Sequence, residues 1–66
     1  MIHVIIKYKN NSSNTTSCKN SKVAKAYIKA VINVYRHDGL IDDVKTIETI
    51  DYMTKECKIV YPEVTS

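Results

Sequence analysis

Between Ser21 and His37 the chain reads SKVAKAYIKAVINVYRH, and its apolar residues recur with the period of an α-helix. At about 100° per residue, Val23, Ala24, Tyr27, Ile28, Val31, Val34 and Tyr35 share one broad face, while Lys22, Lys25, Lys29 and Arg36 gather on the opposite one. An amphipathic helix of this kind must bury its apolar side, and a chain of 66 residues supplies one small core in which to do so. The remaining segments are therefore read as cover for this helix. Asn20 or Ser21 provides an N-cap. Gly39, the only glycine, follows Arg36 and His37 where a left-handed C-terminal cap is wanted.

Ile2, Val4, Ile6 and Tyr8 alternate with His3, Ile5, Lys7 and Lys9, which predicts a strand with one buried face. Residues 10–20 (NNSSNTTSCKN) lack periodicity and are rich in Asn, Ser and Thr, so they are expected to form a loop, poorly ordered around Asn11 to Thr16. From Val44 to Met53 the β-branched content favours a strand over a drifting helix face, with a bulge to reconcile Ile41, Val44, Ile47 and Ile50 recurring every three residues. CKIVY, Cys57 to Tyr61, is a strand with Cys57, Ile59 and Tyr61 on one face, ended by Pro62, and 63–66 is expected to fray.

The expected architecture is a single α+β domain over 1–66, ordered β-α-β-β, with a three-stranded sheet and the amphipathic helix packed on one face. The last two strands form an antiparallel hairpin, and the first two, if parallel, require a right-handed crossover. One helix leaves the second sheet face uncovered. Ile5, Val60 and Ile47 or Tyr52 placed there would form an exposed apolar patch of the kind that marks an interface, so homodimerisation through this face or an unpaired sheet edge is expected.

Charge is distributed unevenly. Residues 1–37 carry six lysines and Arg36 with no acid, and 38–66 carry all seven acids against three lysines. The basic stripe Lys22, Lys25, Lys29 and Arg36 could track a phosphate backbone or an acidic protein surface, or stand as a solvated face neutralised by the acidic half. A single arginine among ten cations argues against bidentate base reading, leaving nonspecific nucleic-acid binding as the alternative to a protein partner. The five tyrosines could stack bases, but Tyr8, Tyr27, Tyr35 and Tyr61 fall on expected core faces and only Tyr52 is placed outside.

No residue set supports catalysis. Cys18 lies beside Lys19 with nothing tying His3 or His37 to it, and Cys57 alternates with core residues. Both cysteines are read as reduced, since no secretory pattern opens the chain. His37, Asp38, Asp42 and Asp43 match neither a zinc nor a calcium spacing, and one glycine cannot build a phosphate-cradling loop, so no metal or cofactor is expected. No apolar run approaches the length of a membrane span. The abundance of Lys, Ile and Asn, all with AT-rich codons, points to an AT-rich bacterial, phage or viral genome. The expectation is a small non-enzymatic protein-binding regulator or inhibitor, phage- or mobile-element-encoded, homodimeric and cytoplasmic in the host cell.

Overall fold

In the computed structural model, which describes residues 1–62, Ile2–Tyr8 forms β1, Ser13–Cys18 β2, Ser21–Asp38 α1, Val44–Asp51 β3 and Glu56–Tyr61 β4, with a 3₁₀ turn at Ile41–Asp43 leading into β3. The tail expected at 63–66 lies outside the described residues. The sheet has four strands in the order β2-β1-β3-β4, and every neighbouring pair is antiparallel. This corrects the expected β-α-β-β order. The additional strand, β2, comes out of the polar segment read as a loop.

Backbone pairing makes that strand where side-chain hydrophobicity does not announce it. Asn11 adopts a left-handed φ of 71°, which asparagine tolerates better than most residues. The turn is closed by the Tyr8 N–H donating to the Ser12 carbonyl and the Asn11 N–H to that of Tyr8. Asn10 Oδ1 accepts from the Ser12 N–H at 3.0 Å, a local turn contact typical of asparagine. Cys18 then falls opposite Ile2 and Thr16 opposite Val4, so Cys18 enters the core and the Thr16 hydroxyl meets the Tyr27 hydroxyl at 3.1 Å. With β1 between them, β2 and β3 run parallel without being neighbours, and α1 connects them across one sheet face.

The core is Val4, Ile6, Cys18, Ala24, Ile28, Val44 and Ile47. Val44 and Ile47 both point inward because the ladder shifts where Tyr8 pairs with Val44 and Lys7 with Thr46. The spacing of three in the sequence is thus the trace of a bulge. A second shift, between Ile47 and Glu48, makes Val60 the extra residue opposite β3. Past it, Val60 and Tyr61 both pack against the core, whereas Cys57 and Ile59 are exposed. The expected common buried face of Cys57, Ile59 and Tyr61 is corrected accordingly.

The helix begins at Asn20, whose Oδ1 accepts the Val23 N–H at 3.0 Å, and ends at Gly39 with φ 74°. The Gly39 N–H donates to the Arg36 carbonyl and the Leu40 N–H to that of Tyr35. Removing the cap with Asn20→Ala should cost about 1 kcal/mol in urea unfolding, whereas Asn20→Gly should cost only a few tenths. The helix is rotated from the expected face: Ile32 packs against the core, while Val23 and Val34 remain 45% and 54% exposed. Among the described residues no helix is long and apolar enough to cross a membrane.

Candidate functional site

The helix lies nearest β1 and β2, and that offset leaves a groove between α1 and the edge strand β4. Its upper part, about 430 Å³, has Ile28, Ile32, Val60 and Tyr61 as its floor and Lys25, Lys29 and Arg36 along the helical rim. Lys25 and Lys29 are one turn apart and Arg36 two turns further on, so all three stand on the same flank. A second part, about 170 Å³, shares Lys25, Ile28 and Val60 and runs toward the helix N-terminus, where Asp51 and Glu56 offset Lys58. Among the described residues the upper part is therefore purely cationic above a mainly aliphatic floor. Lys22 belongs to the same stripe by sequence but lines neither part of the groove.

The ion pairs bear on whether the acidic half neutralises these cations. Among the described residues these are Lys7 to Glu48 at 2.9 Å and the exposed Lys58 to Glu56 at 3.8 Å, so none involves Lys22, Lys25, Lys29 or Arg36. Among the described residues only Lys7 to Glu48 joins the basic half of the chain to the acidic half. There the Lys7 ammonium holds the Glu48 carboxyl below the ordinary carboxylate range, burial opposing and the Thr46 hydroxyl assisting. A depressed carboxylate stabilises the fold above its unfolded value, and that contribution is lost as pH falls.

The uncovered sheet face carries His3, Ile5 and Lys7 from β1, Thr46, Glu48 and Ile50 from β3, and Cys57 and Ile59 from β4. Tyr52 stands beside it, its ring edge-on to His3 with centroids 4.6 Å apart. Of the four residues placed on this second face by sequence, Ile5 is there and Tyr52 stands at its margin. Ile47 is fully buried under the helix and Val60 packs on the helix side, which corrects their assignment, and Ile50 and Ile59 occupy the positions foreseen for them. Both misplacements come from the β4 bulge and the period of three in β3.

A third hollow, about 450 Å³, lies between the β1–β2 turn and the helix C-terminus and contains Tyr8 and Tyr35. Their hydroxyl oxygens are 2.8 Å apart. The hydrogen bond to Tyr35, then burial, push the Tyr8 phenol up from 10.0 to about 12, so it is a neutral phenol at physiological pH. A raised phenol stabilises the fold fully below its unfolded value, and this contribution is lost as pH rises between 10.0 and about 12. In Tyr35→Phe the Tyr8 titration, followed by tyrosinate absorbance, should return toward the ordinary range.

Cys18 is buried and Cys57 exposed, and both are free thiols. His37, Asp38, Asp42 and Asp43 do not converge, and no group of three or more His, Cys, Asp or Glu side chains among the described residues is arranged to hold a metal ion. The cations of the groove are legible in the sequence but its floor is not, because Ile28 and Ile32 read simply as core and plain alternation puts Val60 on the other sheet face. Compared with known proteins, the chain matches no family model, and no curated protein or solved structure matches it.

Proposed function

We propose that the protein is a small non-enzymatic protein-binding regulator or inhibitor, of the kind a phage or mobile element encodes, that acts as a homodimer and takes an acidic segment of a partner protein into the groove between α1 and β4. The observation that carries this reading is the line of Lys25, Lys29 and Arg36, unpaired with any described carboxylate, above an aliphatic floor. β4 is an edge strand, so an extended segment can add to it through backbone hydrogen bonds while alternate side chains turn toward the helix. Carboxylates on that side would meet the three cations, and apolar residues on the other would lie beside Ile59.

Nucleic acid is the competing ligand for the same cations. A mainly aliphatic floor favours the peptide, since base stacking calls for aromatic platforms and Tyr61 is the only ring among the described groove residues. Calorimetry with a short peptide alternating glutamate and valine should show saturable binding, and the same peptide with lysine for glutamate should show none. Saturable binding of oligothymidylate together with silence from the acidic peptide would replace this reading with the nucleic-acid one.

A further inference from the structure

We infer that a second copy of this chain docks along β2, pairing the two β2 strands antiparallel about a twofold axis so that the sheets join and the two helices pack side by side. This rests on the reading of the protein as a homodimer and names the surface that makes it one.

The two edges of the sheet differ in how they meet a partner. β4 carries Glu56 and Lys58, a bulge, and Pro62 just after it, the features by which natural edge strands resist self-pairing. β2, SNTTSC, has no charge, no proline and an unbroken register with β1 over all six residues. It lies within the longest charge-free run of the chain, residues 10–18. A charged partner finds nothing to read on such an edge, whereas an identical neutral edge meets it without repulsion.

The helix flank above the same edge is the second observation. Tyr27 reaches Thr16 of β2, which fixes the flank of α1 that faces this side. Val23, Tyr27, Ala30 and Val34 continue along it at helical spacing, with Val23 and Val34 left 45% and 54% exposed. No charged residue interrupts this stripe, whereas the opposite flank bears Lys25, Lys29 and Arg36. Two apolar valines that the single chain leaves in water are thus set beside its one unprotected strand edge.

Symmetry agrees with this placement. In a symmetric antiparallel ladder, a residue can face only residues an even number of positions away in the partner sequence, because alternate residues direct their backbone groups outward. Facing residues therefore share a sheet face, and both helices necessarily lie on the same side. The helix lies nearest β1 and β2, toward this edge of the sheet, so a twofold axis beside β2 brings the two helices toward each other across the joined face. Running antiparallel, Val23 of each copy approaches Val34 of the other, with the small Ala30 at the close approach. The cationic grooves then lie at the two outer ends of the joined sheet, remote from each other and free to bind.

Sedimentation equilibrium up to about 1 mM chain tests this with three variants at positions exposed in the single chain. Val34→Asp places a carboxylate between the helices, and Thr15→Lys brings two lysines together in the ladder. Each should weaken self-association by at least about tenfold with unchanged circular dichroism. Ile59→Lys, on the uncovered sheet face, should leave it unaltered. A dimer broken by Ile59→Lys but indifferent to Val34→Asp and Thr15→Lys overturns the β2 surface while leaving the homodimer standing. A wild-type chain that stays monomeric throughout overturns both.

Discussion

Ile47→Ala is expected to destabilise the fold by about 3 kcal/mol. Ile47 is 0% exposed. It lies on a central strand between Ile6 and Tyr61, under the helical residues Ala24 and Ile28 that complete the core. Removing three carbons there forfeits burial and leaves a cavity bordered by other β-branched side chains, which have few rotamers with which to collapse into it. In so short a chain the loss is a large part of the total stability. Urea unfolding followed by circular dichroism should therefore show the midpoint falling steeply. Ile59→Ala, an equally large truncation at a position 59% exposed, should change it by less than about 0.5 kcal/mol. Equal effects at the two positions would contradict the assignment of sheet faces.

The second large effect is on binding. Lys25→Glu combined with Lys29→Glu should weaken the acidic glutamate–valine peptide by about 100-fold, since each reversal both removes an attraction and adds a repulsion, together about 2 to 3 kcal/mol. The contacts are partly exposed, so the wild-type affinity should also fall with salt. Lys22→Glu provides the comparison: Lys22 lies on the same helix but lines no part of the groove, and its reversal should cost only a few fold. An effect at Lys22 equal to that at Lys25 and Lys29 would mean that the ligand follows the whole stripe, as a phosphate backbone would. Stability should be unchanged in both variants, because none of these cations forms an ion pair with a described residue.

Much of the fold is legible in the residues. β1 follows from alternation, α1 from its period and from Asn20 and Gly39 at its ends, and the strand at Val44–Asp51 from its β-branched content. What escapes is what pairing rather than hydrophobicity creates. β2 contributes Cys18 to the core and half-buried Thr16 beside it, so no apolar alternation marks it. Its signals are the two asparagines of the turn and the β-favouring threonines. The fourth strand changes the topology, because it sets β1 between the strands that α1 connects. In β4 one extra residue, Val60, inverts the sidedness that simple alternation assigns to the residues before it. The cations of the groove could be read directly from their helical spacing, but a groove belongs to two elements at once. Its floor depends on Val60 and Tyr61 meeting Ile28 and Ile32, and so on a strand order that no local pattern encodes.

The most direct test is a backbone amide chemical-shift titration of the wild-type chain with the glutamate–valine peptide. The perturbations should concentrate at Lys25, Ile28, Lys29, Ile32, Val60 and Tyr61, with Ser13–Cys18 of β2 and the face around Ile5 and Ile50 unmoved. Perturbations centred on Ile5, Ile50 and Tyr52, or scattered over all the lysines without saturation, would show that the groove between α1 and β4 is not the binding site.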